Sequence, residues 1–177
     1  AANENFTLGL KLVRGAYLET DPRHLIHDTK QDTDDAYNSI AQGALNRVLG
    51  QFGAENGRPF PSVEVLLAGH NMESVQGAHM VQQQRIRDGL PIVPLAFAQL
   101  HGMSDRVSLQ LLQMKDANGK EPDVYKCSTW GSLRECIAYL ARRAMENRDA
   151  AGRTLEEYRE LKAEVWRRLR SAFAATA

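Results

Sequence analysis

The side chains best suited to chemistry in this chain of 177 residues stand in three places. Arg142 and Arg143 are adjacent in the run YLARRAMEN, with Glu146 four and three positions further on. On a helix Arg142 and Glu146 share a face, while Arg143 points about 100° away. Two neighbouring guanidinium forks would bind a carboxylate or a phosphate in bidentate fashion. The same residues also make an exposed intrahelical ion pair worth roughly a few tenths of a kcal/mol, and periodicity does not choose between the two. His70 and Asn71 follow one apolar run and Gln99 another. They are neutral donors and acceptors, which suit a planar heterocycle better than a phosphate, although a lone histidine is as often a satisfied structural residue. Lys11, Arg14 and Tyr17 lie in GLKLVRGAY, where Gly15 and Ala16 have almost no side chain and let a ligand approach the backbone. His24 and His27 are three apart but flanked by Pro22 and polar residues, which predicts a loop. No further ligands converge on them at recognisable spacing, so no metal site is expected.

The elements that must position these residues alternate. Leu10, Leu12 and Val13 predict a strand that stops at Arg14, and Val63 to Ala68, Ile92 to Phe97 and Asp123 to Cys127 predict three more. Asp32 or Thr33 is expected to cap a helix with the stripe Ala36, Ile40, Ala41, Ala44, Leu45, Val48 and Leu49, ending near Gly50 or Gly53. Asn71 caps a helix from Met72 to about Asp88, Ser104 one to about Lys115, and Ser132 one from Leu133 to about Arg148. A last helix from about Thr154 to Phe173 has Leu161, Val165, Trp166 and Leu169 as its buried stripe and its charges as a solvated face. Strand and helix alternating four times predict parallel strands with helical crossovers. The first turn lacks a dinucleotide glycine fingerprint and no phosphate loop occurs, so half of an eight-stranded (βα)8 barrel fits better than a small doubly wound sheet. A barrel gathers all four strand ends on one rim, and the site that results is suited to an organic cofactor.

Composition sets the bounds. The length suits one domain, and 43% hydrophobic residues is ordinary for a globular chain. Lys plus Arg equals Asp plus Glu at 22 each, so no global field argues for nucleic acid or an anionic membrane. No apolar run reaches the length of a membrane span, and the first residues lack a secretory signal pattern. Ala1 in place of a methionine points to a removed leader or a fragment. Cys127 and Cys136 do not make a disulfide scaffold, which favours a reducing compartment.

KLVRGAY at Lys11 to Tyr17, GHN at Gly69 to Asn71, FAQLHGM at Phe97 to Met103 and YLARRAMEN at Tyr139 to Asn147, in this order and at these separations, resemble the carboxyl-terminal half of the proline dehydrogenase (proline oxidase) family in its fungal mitochondrial type. The resemblance covers nearly the whole chain, 1–177, from strand five to the last helix of the barrel, with the final helix as an extra carboxyl-terminal element. It implies an FAD enzyme that oxidises L-proline to Δ1-pyrroline-5-carboxylate and passes electrons to a quinone, with peripheral contact at the matrix side of the inner mitochondrial membrane. It implies further that Arg142 and Arg143 hold the substrate carboxylate, that Glu146 pairs with them, that Tyr17 walls the site and that Leu100 packs on the proline ring. Lys11 matches a basic residue near the reactive edge of the flavin. Val13, Gly15 and Ala16 line the isoalloxazine, and Thr29 and Lys30 match the loop toward the ADP portion. Gly69, His70, Asn71 and Gln99 match flavin-contacting positions.

The sequence departs from the family pattern in three respects. Cys127 stands where many members have a substrate-side tyrosine, so proline would be packed differently or a related imino acid accepted. Gly69 replaces the usual threonine before His-Asn. The first half of the barrel, with the family's catalytic lysine and aspartate on its early strands, is absent, which predicts two exposed sheet edges and poor folding alone. The competing readings are a non-catalytic half-barrel remnant acting as a binding module, and a different barrel enzyme that uses Arg142 and Arg143 for a phosphate.

Overall fold

The computed structural model describes residues 4–16, 20–53, 57–116, 119–146 and 154–174. Its elements follow the predicted alternation: β1 Leu8–Val13, α1 Lys30–Leu45, β2 Val63–Ala68, α2 Met72–Arg87, β3 Leu95–Leu100, α3 Asp105–Gln113, β4 Asp123–Cys127, α4 Leu133–Glu146 and α5 Thr154–Ala174. A short 3₁₀ turn, Arg23–Leu25, interrupts the loop between β1 and α1. The four strands form one sheet in the order β1-β2-β3-β4, with every neighbouring pair parallel. A doubly wound sheet reverses direction at a switch point. This order never reverses, so the sheet is part of a (βα) barrel.

Register and the alternation of side chains divide the sheet into two faces. Val63, Val65 and Leu67 on β2 and Phe97 on β3 point toward the helices and, with Tyr37, Ala41, Ala44 and Leu45 of α1, Val75 and Ala78 of α2 and Val107 and Leu111 of α3, make the core. The opposite face carries Lys11 in line with Leu66, Ala96 and Asp123, then Val13 in line with Ala68, Ala98 and Tyr125. Val13 and Tyr125 are 47% and 59% exposed, so this face is bare among the described residues.

Four local expectations need correction. The cap of α1 is Thr29: its hydroxyl accepts from the Asp32 backbone N–H while the Asp32 carboxylate accepts from the Thr29 N–H, so Asp32 is the third residue of a capping box. That helix stops at Leu45, which leaves Val48 and Leu49 outside it, because Arg47 turns left-handed with φ 60°. Strand β3 starts at Leu95, after Pro94, which has no N–H to donate to a ladder, and it runs on through Gln99 and Leu100 because both pair with β4. On α5 the stripe expected to be buried is exposed at Leu161, Val165 and Trp166, the last 55% exposed, although the helix lies against α3, and the Leu169 side chain lies outside the described residues. Asn71 caps α2 as predicted, accepting from the Ser74 N–H at 3.1 Å.

Candidate active site

The carboxyl ends of the four strands carry two local constellations. At the end of β4, Cys127 is exposed and its Sγ lies 3.9 Å from the Tyr139 hydroxyl of α4. One turn further along α4, the Arg143 guanidinium lies over the Tyr139 ring, 5.6 Å from its centroid. Cys127 is register-paired with Leu100, and the His101 N–H donates to the Cys127 carbonyl at 2.8 Å, which ties the ends of β3 and β4 together. The structure thus gathers Leu100, Cys127, Tyr139 and Arg143. Helix α4 begins in a capping box: the Glu135 carboxylate accepts from Ser132 N–H and hydroxyl, and these bonds hold its pKa below the ordinary value. Arg142 is exposed on α4, and the Glu146 side chain lies outside the described residues, as does Tyr17.

The second constellation joins the ends of β2 and β3. His70 Nδ1 lies 2.8 Å from the Ser104 hydroxyl. Ser104 occupies the cap position of α3 with left-handed geometry, φ 50° and ψ 43°, and its side chain makes no capping bond. A serine before a helix ordinarily satisfies the first turn; here the hydroxyl faces the imidazole. Gln99, on the helix-facing side of β3 and only 2% exposed, accepts from the Ser108 hydroxyl at 2.8 Å and reaches the Gly69 carbonyl at a long 3.5 Å. It therefore meets the rim only through the Gly69 backbone.

Around β1 the predicted residues separate. Lys11 and Val13 stand on the bare face. Gly15 has φ 65°, and a Cβ there would meet nothing within 4 Å; Ala16 beside it is exposed. Thr29 is engaged as the α1 cap, and Lys30 Nζ reaches Asp34 Oδ2 at 2.5 Å. Arg14 turns to the helix side. Among the described residues no three of His, Cys, Asp and Glu gather as metal ligands.

Residues 1–156 match the family model described as proline dehydrogenase. The chain belongs to the proline dehydrogenase family. Human hydroxyproline dehydrogenase is 36% identical over 171 residues, covering 96% of this chain and 35% of that protein. The probable mitochondrial proline dehydrogenase of Schizosaccharomyces pombe is 31% identical over 163 residues, 87% of this chain and 32% of that protein. Mitochondrial proline dehydrogenase 1 of Dictyostelium discoideum is 31% identical over 175 residues, with shares of 93% and 28%. The chain thus spans about a third of the length of these relatives. No solved structure matches it. The proline dehydrogenase match includes both rim constellations and stops at residue 156, so nearly all of α5 lies beyond it.

Two rim residues escaped sequence reasoning. Tyr139 lies inside YLARRAMEN, and its signal is the spacing of four to Arg143, which puts ring and guanidinium on one helix face. Ser104 was hidden because a cap and a histidine partner call for the same residue type.

Proposed function

We propose that this chain forms part of a flavin-dependent oxidase of the proline ring, converting L-proline to Δ1-pyrroline-5-carboxylate. The observation that carries the reading is Arg143. It is drawn onto the Tyr139 ring beside Cys127 at the end of a barrel strand, where a carboxylate anchor would face ligand.

The rim fits an FAD. Gly15 leaves its backbone open, and in the adjoining layer Ala68 and Ala98 carry only methyl side chains between Val13 and Tyr125. Lys11, Val13, Gly15, Ala16, Gly69, His70 and Asn71 would hold the cofactor, with Gln99 supporting Gly69, and with Thr29 and Lys30 toward its ADP portion. When bound, the flavin supplies the hydride acceptor. The protein's own part is orientation: Arg142 and Arg143 fix the substrate carboxylate, Glu146 balances their charge, and Tyr17 and Leu100 confine the ring. Holding the reacting atoms in line is worth several orders of magnitude in rate. The family resemblance supports a quinone acceptor and peripheral contact with the inner mitochondrial membrane, and the mitochondrial names of the relatives support the organelle alone. No described helix is long and apolar enough to cross a membrane.

The test is anaerobic bleaching of bound FAD by L-proline, on the chain alone and on the chain joined to the early barrel strands of a relative. Bleaching in neither would favour a non-catalytic remnant. In an active preparation Arg143→Met is expected to raise KM for proline at least tenfold with flavin retained, because a desolvated charge pair is worth about 2 to 5 kcal/mol; an unchanged KM would remove Arg143 from the site. Displacement by tetrahydrofuran-2-carboxylate but not by inorganic phosphate would exclude a phosphate site.

A second reading, 4-hydroxyproline as substrate, is favoured by Cys127, whose small exposed side chain leaves room beside Tyr139. Cys127→Tyr is then expected to shift the ratio of kcat/KM values toward proline at least tenfold, and an unchanged ratio would dismiss this reading.

A further inference from the structure

We infer that Arg14 is a positioning residue that locks the β1 and β2 rim loops to one another. Its side chain leaves the end of β1 on the helix side, and its guanidinium meets α1 and α2 at once. Nη2 donates to Asn38 Oδ1 at 3.1 Å and to Ser74 Oγ at 2.5 Å, and the group lies 3.8 Å from the centroid of the Tyr37 ring. Nε lies 2.8 Å from Asp34 Oδ1 but off the direction of a hydrogen bond, so that contact is an ion pair. Asp34, Tyr37 and Ser74 are all buried. Only a planar cation with several fixed donors serves two acceptors, a carboxylate and a ring face together; a lysine would meet one or two of them.

Each anchor adjoins a rim residue. Gly15, with φ 65°, follows Arg14 directly. Ser74 donates its backbone N–H to Asn71, next to His70. The backbone that would lie against the flavin and the pair His70 and Asn71 are therefore fixed by one guanidinium that itself faces away from the bare sheet. Lys30 bonds to Asp34 as well, and this bond, with the Arg14 charge as a lesser cause, holds the Asp34 carboxyl below its ordinary pKa. The Asp34 carboxylate therefore stays charged at neutral pH. The link to flavin rests on the function proposed above; the coupling between the loops does not.

The experiment is backbone ¹⁵N relaxation on the full 177-residue chain. Ser74→Ala removes an Arg14 partner on α2 and leaves the cap bond to the Ser74 N–H in place. It is expected to lower the order parameters of Gly15 and Ala16, on the other loop, from the rigid range near about 0.85 toward about 0.6. In an Arg14→Met background Ser74→Ala should add nothing. No change at Gly15 and Ala16, or the same change whether or not Arg14 is present, would overturn the inference. Asn38→Ala, which removes the Arg14 partner on α1, stands in if Arg14→Met fails to fold: it should loosen Gly15 and Ala16 and make Ser74→Ala less effective, and independent effects would count against the lock. FAD titration of the same proteins gives the second readout. Ser74→Ala is expected to weaken FAD binding about tenfold, the usual worth of a hydrogen bond to a charged group, and more than Val75→Ala, a core variant on the same turn. If the unmodified chain takes up no FAD, the functional reading fails while the relaxation result still decides the coupling.

Discussion

The two faces of one four-stranded sheet behave as different materials. On the helix-facing side Val65, Leu67, Phe97 and Gln99 are each 2% exposed or less. One residue along each strand, the side chains belong to the bare face: Lys11, Val13, Tyr125 and Cys127 are exposed, and Leu66 and Ala98 are only partly covered. The alternation of a pleated strand is the whole cause of the division. It teaches that stability and binding are assigned here by parity, so a residue's place in the strand register predicts which property its substitution will disturb.

The largest effect that would break this comparison is expected at Phe97. Phe97→Ala removes the largest fully buried side chain and should cost about 3 to 5 kcal/mol of unfolding free energy. A loss below about 1 kcal/mol in urea titration would mean that the helix-facing side is not a packed core. An intermediate effect concerns pH. His79 on α2 is buried, and burial lowers its pKa, against a smaller opposing pull from Asp116. The unfolded chain therefore binds the proton first as pH falls. The stability this neutral imidazole confers is present above its unfolded value, near about 6.5, and is lost as pH drops through the window below it. The urea midpoint should decline from pH 7.5 to pH 5.5, and His79→Leu should flatten that slope; an unaltered slope would assign it elsewhere. The smallest effect belongs to the bare face, where Tyr125→Ala should change stability by no more than about 0.5 kcal/mol. A cost comparable to that of Phe97→Ala would mean that something covers this face in solution.

The sequence made the alternation and the barrel class legible, because Gly and Pro punctuate every strand and each helix carries an apolar stripe. What it concealed was geometry that depends on counting. Placing β3 three residues early put Gln99 and Leu100 in a loop, although the ladder continues through both and sends one to the helices and the other to the bare face. Pro94 was the missed signal. The roles of Arg14 and Ser104 depend on partners 24 to 60 residues away in the chain, Asn38 and Ser74 for the first and His70 for the second. No local pattern encodes such pairings. Arg143 shows the converse: periodicity left it divided between a solvated face and a clamp, and only the structure shows its guanidinium over the Tyr139 ring, which supports the clamp proposed above.

The unreversed strand order also carries a consequence for how the chain acquires its shape. Every strand pairs with its successor, so each new βα unit extends an edge already formed as the chain emerges from synthesis. The longest excursion between paired strands is the first, from β1 through α1 to β2. Loop-closure entropy makes that pairing slower to close than the β2–β3 and β3–β4 pairings, whose intervening segments are shorter.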